Sequence, residues 1–436
     1  MSFRGKMWTL LISALIAGYV LVGGLPFVGS MLQTQAQQPI NDAGTQIRIF
    51  ESVLQHIQND YVDEPNLEKV RFGALRGLVS GLDPYSSYLT VDQVKEFNAN
   101  GSSKKVGIGA EFSQVSQYLY VISVLKGSNA EKAGLKAGDV VEYIENKATR
   151  DISLYDARQM ILGDPGSVVS MRVLRSGEKP QMLKINRGTH SFPPAEARVE
   201  SGRVGVVKVY SLETGAADDI REKVTSLTRQ GVQKIVLDLR GVSTGTLSEG
   251  VAVANLFIKD GELARILGRD NTVTKTFSAD PAKFLFDGGM TALIDFSTAG
   301  AGEIVASAIA DRKRGEVVGE RSFGAGTEQQ LFTLRGGDGL LLTVSKWASP
   351  SGVPFLGDDR ASMGVKPTVE VKRPDTPEPL AVEELIDQQD ENAAGTPPSA
   401  TPTPKPEKAK PAAEDVQLKK ALELLQDRSQ ATKAGE

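Results

Sequence analysis

The sequence contains no cysteine, and histidine is almost absent from it. Without cysteine the chain can form neither disulfide bonds nor a thiolate nucleophile, although this leaves its redox compartment open. The two histidines, His56 and His190, lie far apart in the sequence and outside the segments that carry candidate reactive groups. We therefore expect no Ser-His-Asp triad, no histidine-based metal site and no cofactor.

The chain also lacks a long block of basic residues. Its 50 lysines and arginines are balanced by 54 aspartates and glutamates, which leaves a net charge of −4. Nucleic acid is therefore not an expected partner, since that kind of binding needs a clustered positive surface. The length of 436 residues predicts two or three domains.

An uncharged apolar segment stands near the N-terminus. It runs from Met7 to Val28 and is long enough to cross a hydrocarbon core of about 30 Å. Arg4 and Lys6 precede it, which favours a cytoplasmic N-terminus and export of the rest of the chain. Residues 1–30 are accordingly predicted to be a single transmembrane anchor, with a cleaved signal peptide ending near Ser30 as the alternative.

Residues 31–99 are predicted to be a polar tether followed by helices. Apolar residues recur at helical spacing over residues 47–56 and again over residues 67–82. The second helix is expected to stop at the proline that follows it, because proline disfavours a helical conformation in the residue before it. A third, short helix begins after Thr90, whose side chain can cap it together with that of Gln93.

Residues 100–190 alternate short strands with turns and contain one longer helical segment at 154–162. The glycine-bearing segment Gly107–Phe112 leads into a strand. The turn Gly134–Asp139 reads G-L-K-A-G-D, which resembles the signature of bacterial PDZ domains. That resemblance implies that backbone N–H groups of the glycine segment bind the C-terminal carboxylate of a peptide, which adds to the sheet as an extra strand.

The resemblance assigns six residues to this peptide site, four from the glycine segment and two from the facing helix. They are Ile108, Gly109, Ala110, Phe112, Met160 and Ile161. Protein C-termini or unfolded peptides are the ligands that such a site implies. A PDZ fold that only packs against the neighbouring domain is the alternative.

Residues 191–372 alternate strands with helices, which predicts an α/β layered core. One apolar strand runs into the turn Asp238–Gly245, and a later one runs into the small-residue turn Ser297–Gly302. A helix follows the second turn, and a glycine-flanked loop comes after it at 322–326. A strand that leads through a tight turn into a helix is a common place for a nucleophile or an anion site.

This stretch resembles the active-site segment of the C-terminal processing proteases, which are periplasmic and lumenal Ser-Lys peptidases with a PDZ domain. In that family the turn reads roughly S-A-S-A-S-E, with its middle serine as nucleophile, and the loop reads F-G-K-G-x-x-Q, with its lysine as general base. Alignment on Glu303 and Phe323 places the nucleophile position on Gly300 and the base position on Ala325. Gln329 matches the glutamine that orients the lysine. The resemblance therefore implies a site whose spacing is kept and whose two reactive side chains are missing.

The oxyanion turn departs from the family as well. The family counterpart D-L-R-x-N-P-G-G donates backbone N–H groups to the oxyanion of the tetrahedral intermediate. Gly245 is kept, whereas Val242, Ser243 and Thr244 replace the asparagine, the proline and the first glycine. Glycine permits positive φ and close backbone approach, so Thr244 is expected to disturb this geometry. In the helical region before the PDZ segment, Tyr85 likewise replaces the histidine of an L-D-P-H-S-x-Y-L motif.

Residues 373–413 are rich in proline and charge, which predicts a semi-extended linker. Residues 414–428 follow as a predicted amphipathic helix with Leu418, Leu422 and Leu425 on one face. A helix this short is marginal in isolation. We therefore expect it to dock either on its own chain or on a second copy of the chain.

Together these features predict an α/β (α+β) protein with an N-terminal helical segment, a PDZ domain inserted before a protease-like core, and one membrane anchor. The expected function is a catalytically silent family member, tethered to the inner membrane with its bulk in the periplasm, that binds peptides or C-terminal tails and has an active relative as a further partner. One alternative is an active serine endopeptidase that cleaves near protein C-termini with displaced groups, for which Ser297, Thr298, Ser322 and Lys346 are the candidates. The other is an assembly protein that oligomerises through its C-terminal helix.

Overall fold

The structure is a computed structural model that describes residues 7–8, 12–14, 42–99, 104–358, 362–373 and 414–433. The predicted anchor and the predicted proline-rich linker fall largely outside this part of the chain. Among the described residues, no helix is both long enough and apolar enough to span a bilayer. The chain divides into two compact units, residues 1–74 and residues 75–436.

The first unit contains helix α1 (Ala43–Asp60) and the beginning of helix α2 (Leu67–Ser80). The Asp42 carboxylate caps α1 by accepting a hydrogen bond from the N–H of Thr45. Helix α1 contains no buried residue, and Ile47 on its predicted apolar face is 66% exposed. Both helices predicted for this region are present, and the first is longer than predicted.

The second unit opens with a turn, strand β1 (Ser87–Leu89) and helix α3 (Val91–Asn98). The carboxylate of Asp83 accepts hydrogen bonds from the N–H groups of Tyr85 and Ser86, which fixes the turn that follows α2. The Thr90 side chain accepts a bond from the N–H of Gln93, and the Gln93 side chain accepts one from the N–H of Thr90. The predicted cap of α3 is therefore confirmed.

An antiparallel sheet with the strand order β2-β3-β4-β6-β7 follows, and strand β5 pairs with β4. Apolar residues from alternate strand positions pack against the inner face of helix α5, which the side chain of Ser153 caps. This fold agrees with the predicted PDZ unit. Its elements are β2 (Ala110–Val115), β3 (Tyr118–Val124), α4 (Asn129–Lys132), β4 (Val140–Ile144), β5 (Lys147–Ala148), α5 (Leu154–Ile161), β6 (Val168–Leu174) and β7 (Gln181–Asn186).

The core is built on a six-stranded sheet with the order β17-β14-β13-β10-β9-β8, which is parallel except for the edge strand β8. Helices α6, α7 and α8 pack on one face of it. The strands are β8 (Glu196–Glu200), β9 (Val204–Lys208), β10 (Lys234–Asp238), β13 (Gly289–Ile294), β14 (Glu316–Gly319) and β17 (Val369–Glu370). The helices are α6 (Ala216–Arg229), α7 (Leu247–Phe257) and α8 (Ala301–Asp311).

A second sheet has the order β1-β16-β11-β12, and β15 also pairs with β16. Strand β16 is its centre, because it bonds to β1, β11 and β15. The sheet therefore joins segments that come before the PDZ unit to segments that follow the parallel sheet. The strands not yet defined are β11 (Glu262–Leu267), β12 (Val273–Ser278), β15 (Thr327–Thr333) and β16 (Gly339–Ala348).

The C-terminal helix α9 (Val416–Lys433) covers the other face of the parallel sheet. Val236 packs with Ala421 and Leu425 of this helix. The residues on either side of Val236 in strand β10 point to the opposite layer, as the alternation of side chains along a strand requires. The sheet is thus buried on both faces, which is usual for parallel strands. Of the two partners considered for this helix, the structure shows its own chain.

Polar contacts fix the position of α9 along the sheet. The Arg240 guanidinium forms a two-pronged pair with the carboxylate of Asp415, at 2.9 Å from Nη1 to Oδ1 and 2.8 Å from Nη2 to Oδ2. Lys234 donates from Nζ to the carbonyl of Leu425 at 2.8 Å. Arg240 also pairs with Asp238, so the helix is joined directly to the turn that follows β10.

We expect Leu425→Ala to lower the free energy of unfolding by about 2–4 kcal/mol, because it removes a buried side chain and leaves a cavity. Leu425 is 2% exposed and packs on Val236 and the neighbouring strands. Chemical denaturation of both proteins measures the difference. The matched control is Glu423→Ala on the exposed side of α9, which should change stability by no more than about 0.5 kcal/mol. Equal losses from the two variants would contradict the docked position of the helix.

Candidate functional site

The two loops that the sequence singles out lie at the carboxyl ends of neighbouring parallel strands. Strand β13 runs into the turn that ends at Gly300, and strand β14 runs into the loop that contains Ala325. The N–H of Gly300 and the N–H of Ala325 both donate to Oε2 of Glu303, at 2.8 Å and 2.9 Å. The structure therefore brings the predicted nucleophile and base positions together around one carboxylate oxygen.

Gly300 begins α8 in a conformation that side-chain-bearing residues rarely adopt, with φ of 55° and ψ of −110°. A Cβ at this position would meet its nearest neighbour, Cζ3 of Trp347, at 3.7 Å, which is ordinary van der Waals contact. There is therefore room for a side chain, although positive φ would strain any residue with a Cβ. The sharp turn is present, and position 300 carries no side chain.

Glu303 is the centre of this site. In the sequence it served only as the residue on which the turn was aligned with the family motif. It is fully buried and accepts four hydrogen bonds. Besides the two described, the N–H of Gly324 donates to Oε1 at 2.7 Å and the Ser322 hydroxyl donates to Oε1 at 2.5 Å. Burial raises the pKa of Glu303 from 4.5 to about 7, against the lowering effect of these donors. A glutamate within the otherwise apolar sequence of α8 is the signal that could have indicated a buried hydrogen-bond partner.

The retained Gln329 is bonded to two threonines of the second sheet. Its side-chain Nε2 donates to the hydroxyls of Thr327, at 2.7 Å, and of Thr343, at 3.3 Å. Gln329 thus joins strands β15 and β16, next to the loop of Ala325. The methyl group of Ala325 packs against an apolar cluster that includes Phe323.

The turn after β10 is held by backbone contacts. The Leu212 N–H donates to the carbonyl of Thr244 at 2.9 Å, and the hydroxyl of Thr244 is buried without a hydrogen-bond partner among the described residues. Gly245 has φ of 140°, and a Cβ there would lie 2.3 Å from the carbonyl oxygen of Leu212. Glycine is therefore required at 245, whereas Thr244 fits at the expense of an unsatisfied hydroxyl. The carbonyl of Val242 accepts a bond from the Ala299 N–H, which ties this turn to that of Gly300.

Two of the three hydroxyl groups considered as displaced nucleophiles, those of Thr298 and Ser322, form hydrogen bonds with other groups. Thr298 Oγ1 is buried, donates to the carbonyl of Leu239 at 3.0 Å and accepts from the N–H of Asp295 at 3.1 Å. Ser322 Oγ is buried between Glu303 and the N–H of Val365. Within the described residues, no hydrogen bond or ion pair joins Lys346 to Ser297, Thr298 or Ser322. No direct bond therefore links Lys346 to any of these three hydroxyl groups among the described residues.

A cavity of about 710 Å³ lies between the PDZ unit and the core. Five of the six predicted peptide-site residues line it: Ile108, Gly109, Ala110, Phe112 and Ile161. Met160 lies outside the lining and packs instead on the apolar cluster of the PDZ unit. Gly109 has φ of 81°, and a Cβ there would lie 2.4 Å from that of Ser128, so the loop requires glycine. The opposite wall, which the sequence did not predict, comes from the core residues Lys208, Tyr210 and Arg240.

The PDZ unit also contacts the turn that ends at Gly300. Ile122 of β3 packs with Ala299 and Phe323. Tyr85 is buried against the same cluster and against the PDZ core, and its phenol oxygen accepts a bond from the Ser113 hydroxyl at 3.1 Å. Burial raises the pKa of Tyr85, which keeps the phenol neutral. The residue that departs from the family motif thus serves as a packing element between the two domains.

The described residues contain no group of three potential metal-ligating side chains.

Residues 203–371 match the sequence profile of peptidase family S41, and residues 120–175 match that of the PDZ domain. A "Probable CtpA-like serine protease" of Staphylococcus aureus (strain MRSA252) is 31% identical over 373 residues, which cover 85% of this chain and 73% of that protein. Its counterpart in Staphylococcus haemolyticus (strain JCSC1435) is 30% identical over 335 residues, covering 76% and 66%.

The solved structure of the photosystem II D1 C-terminal processing protease is also similar. It superimposes with a TM-score of 0.63 at 25% sequence identity, over 79% of this chain and 92% of that protein.

We expect the stability of the protein to fall as the pH rises from about 4.5 to about 7, because folding raises the pKa of Glu303 over that interval. The folded state binds the additional proton, so the contribution is complete below pH 4.5 and is lost above pH 7. Its full size is about 3 kcal/mol for a fully buried carboxyl group. Chemical denaturation between pH 4.5 and 7.5, compared with Glu303→Gln, isolates the effect. The same pH slope in both proteins would contradict it.

Proposed function

We propose a peptide-binding function for this chain, which belongs to the C-terminal processing proteases of peptidase family S41. In this proposal it is a catalytically silent family member that captures protein C-termini or unfolded peptides in the groove between its PDZ domain and its core. The observation that carries the proposal is the pair Gly300 and Ala325 at the two reactive positions, beside a groove that keeps its glycine segment.

The absence of catalysis follows from what hydrolysis requires. A Ser-Lys peptidase needs a nucleophile and a base within hydrogen-bond reach of each other, and glycine and alanine supply neither. Loss of one essential group costs on the order of 10⁴–10⁶ in rate in the serine protease subtilisin. Here both groups are replaced, and Thr244 alters the turn that binds the oxyanion in the family.

The alternative of an active endopeptidase with displaced groups has less support. Thr298 and Ser322 are buried, and their hydroxyls are bonded to the backbone and to Glu303. A nucleophile must be free to approach a scissile carbonyl, so these hydroxyls are poorly suited to attack. The Ser297 N–H donates to the Asp295 carboxylate, and no hydrogen bond among the described residues joins the Ser297 hydroxyl to a base.

The groove suits the capture of a chain end. A PDZ domain binds an extended peptide as an added strand and receives its carboxylate on successive backbone N–H groups. The apolar side chains of Ile108, Phe112 and Ile161 line the place where the last side chain of such a peptide would lie. Free carboxylate and an apolar last residue are therefore the proposed recognition elements.

We further propose that the apolar N-terminal segment tethers the chain to the inner membrane and that the bulk of the chain lies in the periplasm. The basic residues before that segment and its lack of charge support this topology. An active relative is a proposed partner, since a silent binder of the same tails could deliver or withhold substrates. Self-association through α9 has less support, because its apolar face is buried on its own sheet.

Titration of a labelled decapeptide with an apolar C-terminal residue into the full-length protein tests the binding function. We expect saturable binding that falls at least about tenfold when the peptide carboxylate is amidated, as expected for loss of a charge-assisted interaction. Gly109→Asp should abolish binding, because its side chain collides with Ser128 and places a negative charge at the carboxylate site.

The control variant is Gly177→Asp, at a positive-φ glycine that has nothing within 4 Å of its Cβ position and lies outside the groove. It should bind the peptide like the wild type. Equal affinity for the acid and the amide, or equal binding by Gly109→Asp, would rule out the proposed site.

A further inference from the structure

A carboxylate side chain lies inside the peptide groove and is not explained by the capture of a chain end. Glu111 belongs to strand β2 and lines the cavity together with Gly109 and Ala110. Burial raises the pKa of Glu111 more than the nearby Arg158 lowers it. A partly buried carboxylate in this position carries a cost in free energy that a cation could offset.

Four cationic side chains line the groove, and three of them, Arg158, Lys208 and Arg240, are bonded to other groups, whereas the fourth is Lys126. Arg158 donates from Nη2 to the carbonyl of Phe112 at 2.8 Å. On the core wall, Lys208 and Arg240 both bond to Asp238. In the part of the chain that the structure describes, the Glu111 carboxylate itself makes no hydrogen bond or ion pair.

The second carboxylate of the groove behaves differently. Glu131 also lines the cavity, and its Oε2 accepts a hydrogen bond from the N–H of Gly127 at 2.6 Å. Glu131 therefore has a structural partner, whereas Glu111 faces the groove without one. This difference makes the two residues a natural pair for comparison.

The alternation of side chains along β2 fixes which part of a ligand Glu111 would meet. Ile108 and Phe112 point into the apolar cluster that contains Ile161 of α5. The pairing of β2 with β3 shifts register between Glu111 and Phe112. Ala110 and Phe112 both pack on that cluster, however, so Glu111 between them faces the other side. A peptide added to β2 alternates in the same way. If the last residue of the peptide enters the apolar end of the groove, its penultimate and fourth-last residues face the side of Glu111.

We propose that Glu111 makes the groove selective for peptides with lysine or arginine at the penultimate or fourth-last position. An ammonium or guanidinium group there would pair with a carboxylate that makes no hydrogen bond or ion pair among the described residues. Residues at the last and third-last positions face α5 and would show no such preference. This inference rests on the proposed peptide-binding function and adds the chemical class of the ligand.

Calorimetric titration of the full-length protein with a set of decapeptides tests the proposal. The parent peptide ends in an apolar residue preceded by alanines, and single lysines replace the penultimate, third-last or fourth-last residue. We expect lysine at the penultimate or fourth-last position to tighten binding about five- to tenfold, and lysine at the third-last position to have no effect. Glutamate at the penultimate position should weaken binding.

Two variants assign the preference to one side chain. Glu111→Gln should lose the gain from lysine, measured as the ratio of the affinities for the lysine peptide and the parent peptide. Glu131→Gln, the matched control, should keep that gain. A lysine preference that survives Glu111→Gln, or a gain confined to the third-last position, would overturn the proposal.

The outcomes separate this inference from the binding function itself. If the parent peptide binds through its carboxylate and lysine brings no gain in the wild type, only the selectivity of Glu111 is wrong. If neither the parent nor any lysine peptide binds, the proposed function fails and this inference fails with it. Raising the salt concentration should reduce the lysine gain more than the affinity for the parent, since screening acts on the charge pair.

Discussion

The geometry of the candidate site depends on one buried carboxylate, that of Glu303. Its two oxygens accept hydrogen bonds from three backbone N–H groups and one hydroxyl, which come from the turn after β13 and the loop after β14. Leaving any of these groups unpaired in the interior would be costly. The backbone, and not the side chains at 300 and 325, makes these bonds. The shape of the site can therefore persist without a serine or a lysine.

The surroundings of the site reinforce the same geometry. Helices α6–α8 and α9 bury the parallel sheet from both faces, so the carboxyl ends of its strands are held in place. Ile122 and Tyr85 pack in the same apolar cluster as Phe323, which holds the PDZ unit against the loop of Phe323. As a result the peptide groove is bounded on one side by the PDZ domain and on the other by Lys208, Tyr210 and Arg240 of the core. A ligand would contact both domains.

Much of this organisation could be predicted from local sequence signals. The turn Gly134–Asp139 indicates the PDZ unit, and the spacing between the two loops predicts Gly300 and Ala325 at the reactive positions. Contacts between distant segments could not be predicted in this way. The role of Glu303 depends on a loop that lies about twenty residues later in the sequence, after a helix and a strand. The core wall of the groove depends on how the two domains pack against each other. The amphipathic pattern of α9 indicated an apolar face, and only the structure shows that its own sheet covers it.

The central claim is that this chain keeps the scaffold of a processing protease and lacks its chemistry. Its most direct test is a mass-spectrometric time course of an unfolded substrate with an apolar C-terminus, incubated with the purified protein at saturating concentration. The account predicts that the substrate stays intact in the presence of the wild type. Cleavage by the wild type that disappears in Ser297→Ala or Thr298→Ala would contradict it, because it would reveal a nucleophile that the geometry does not support.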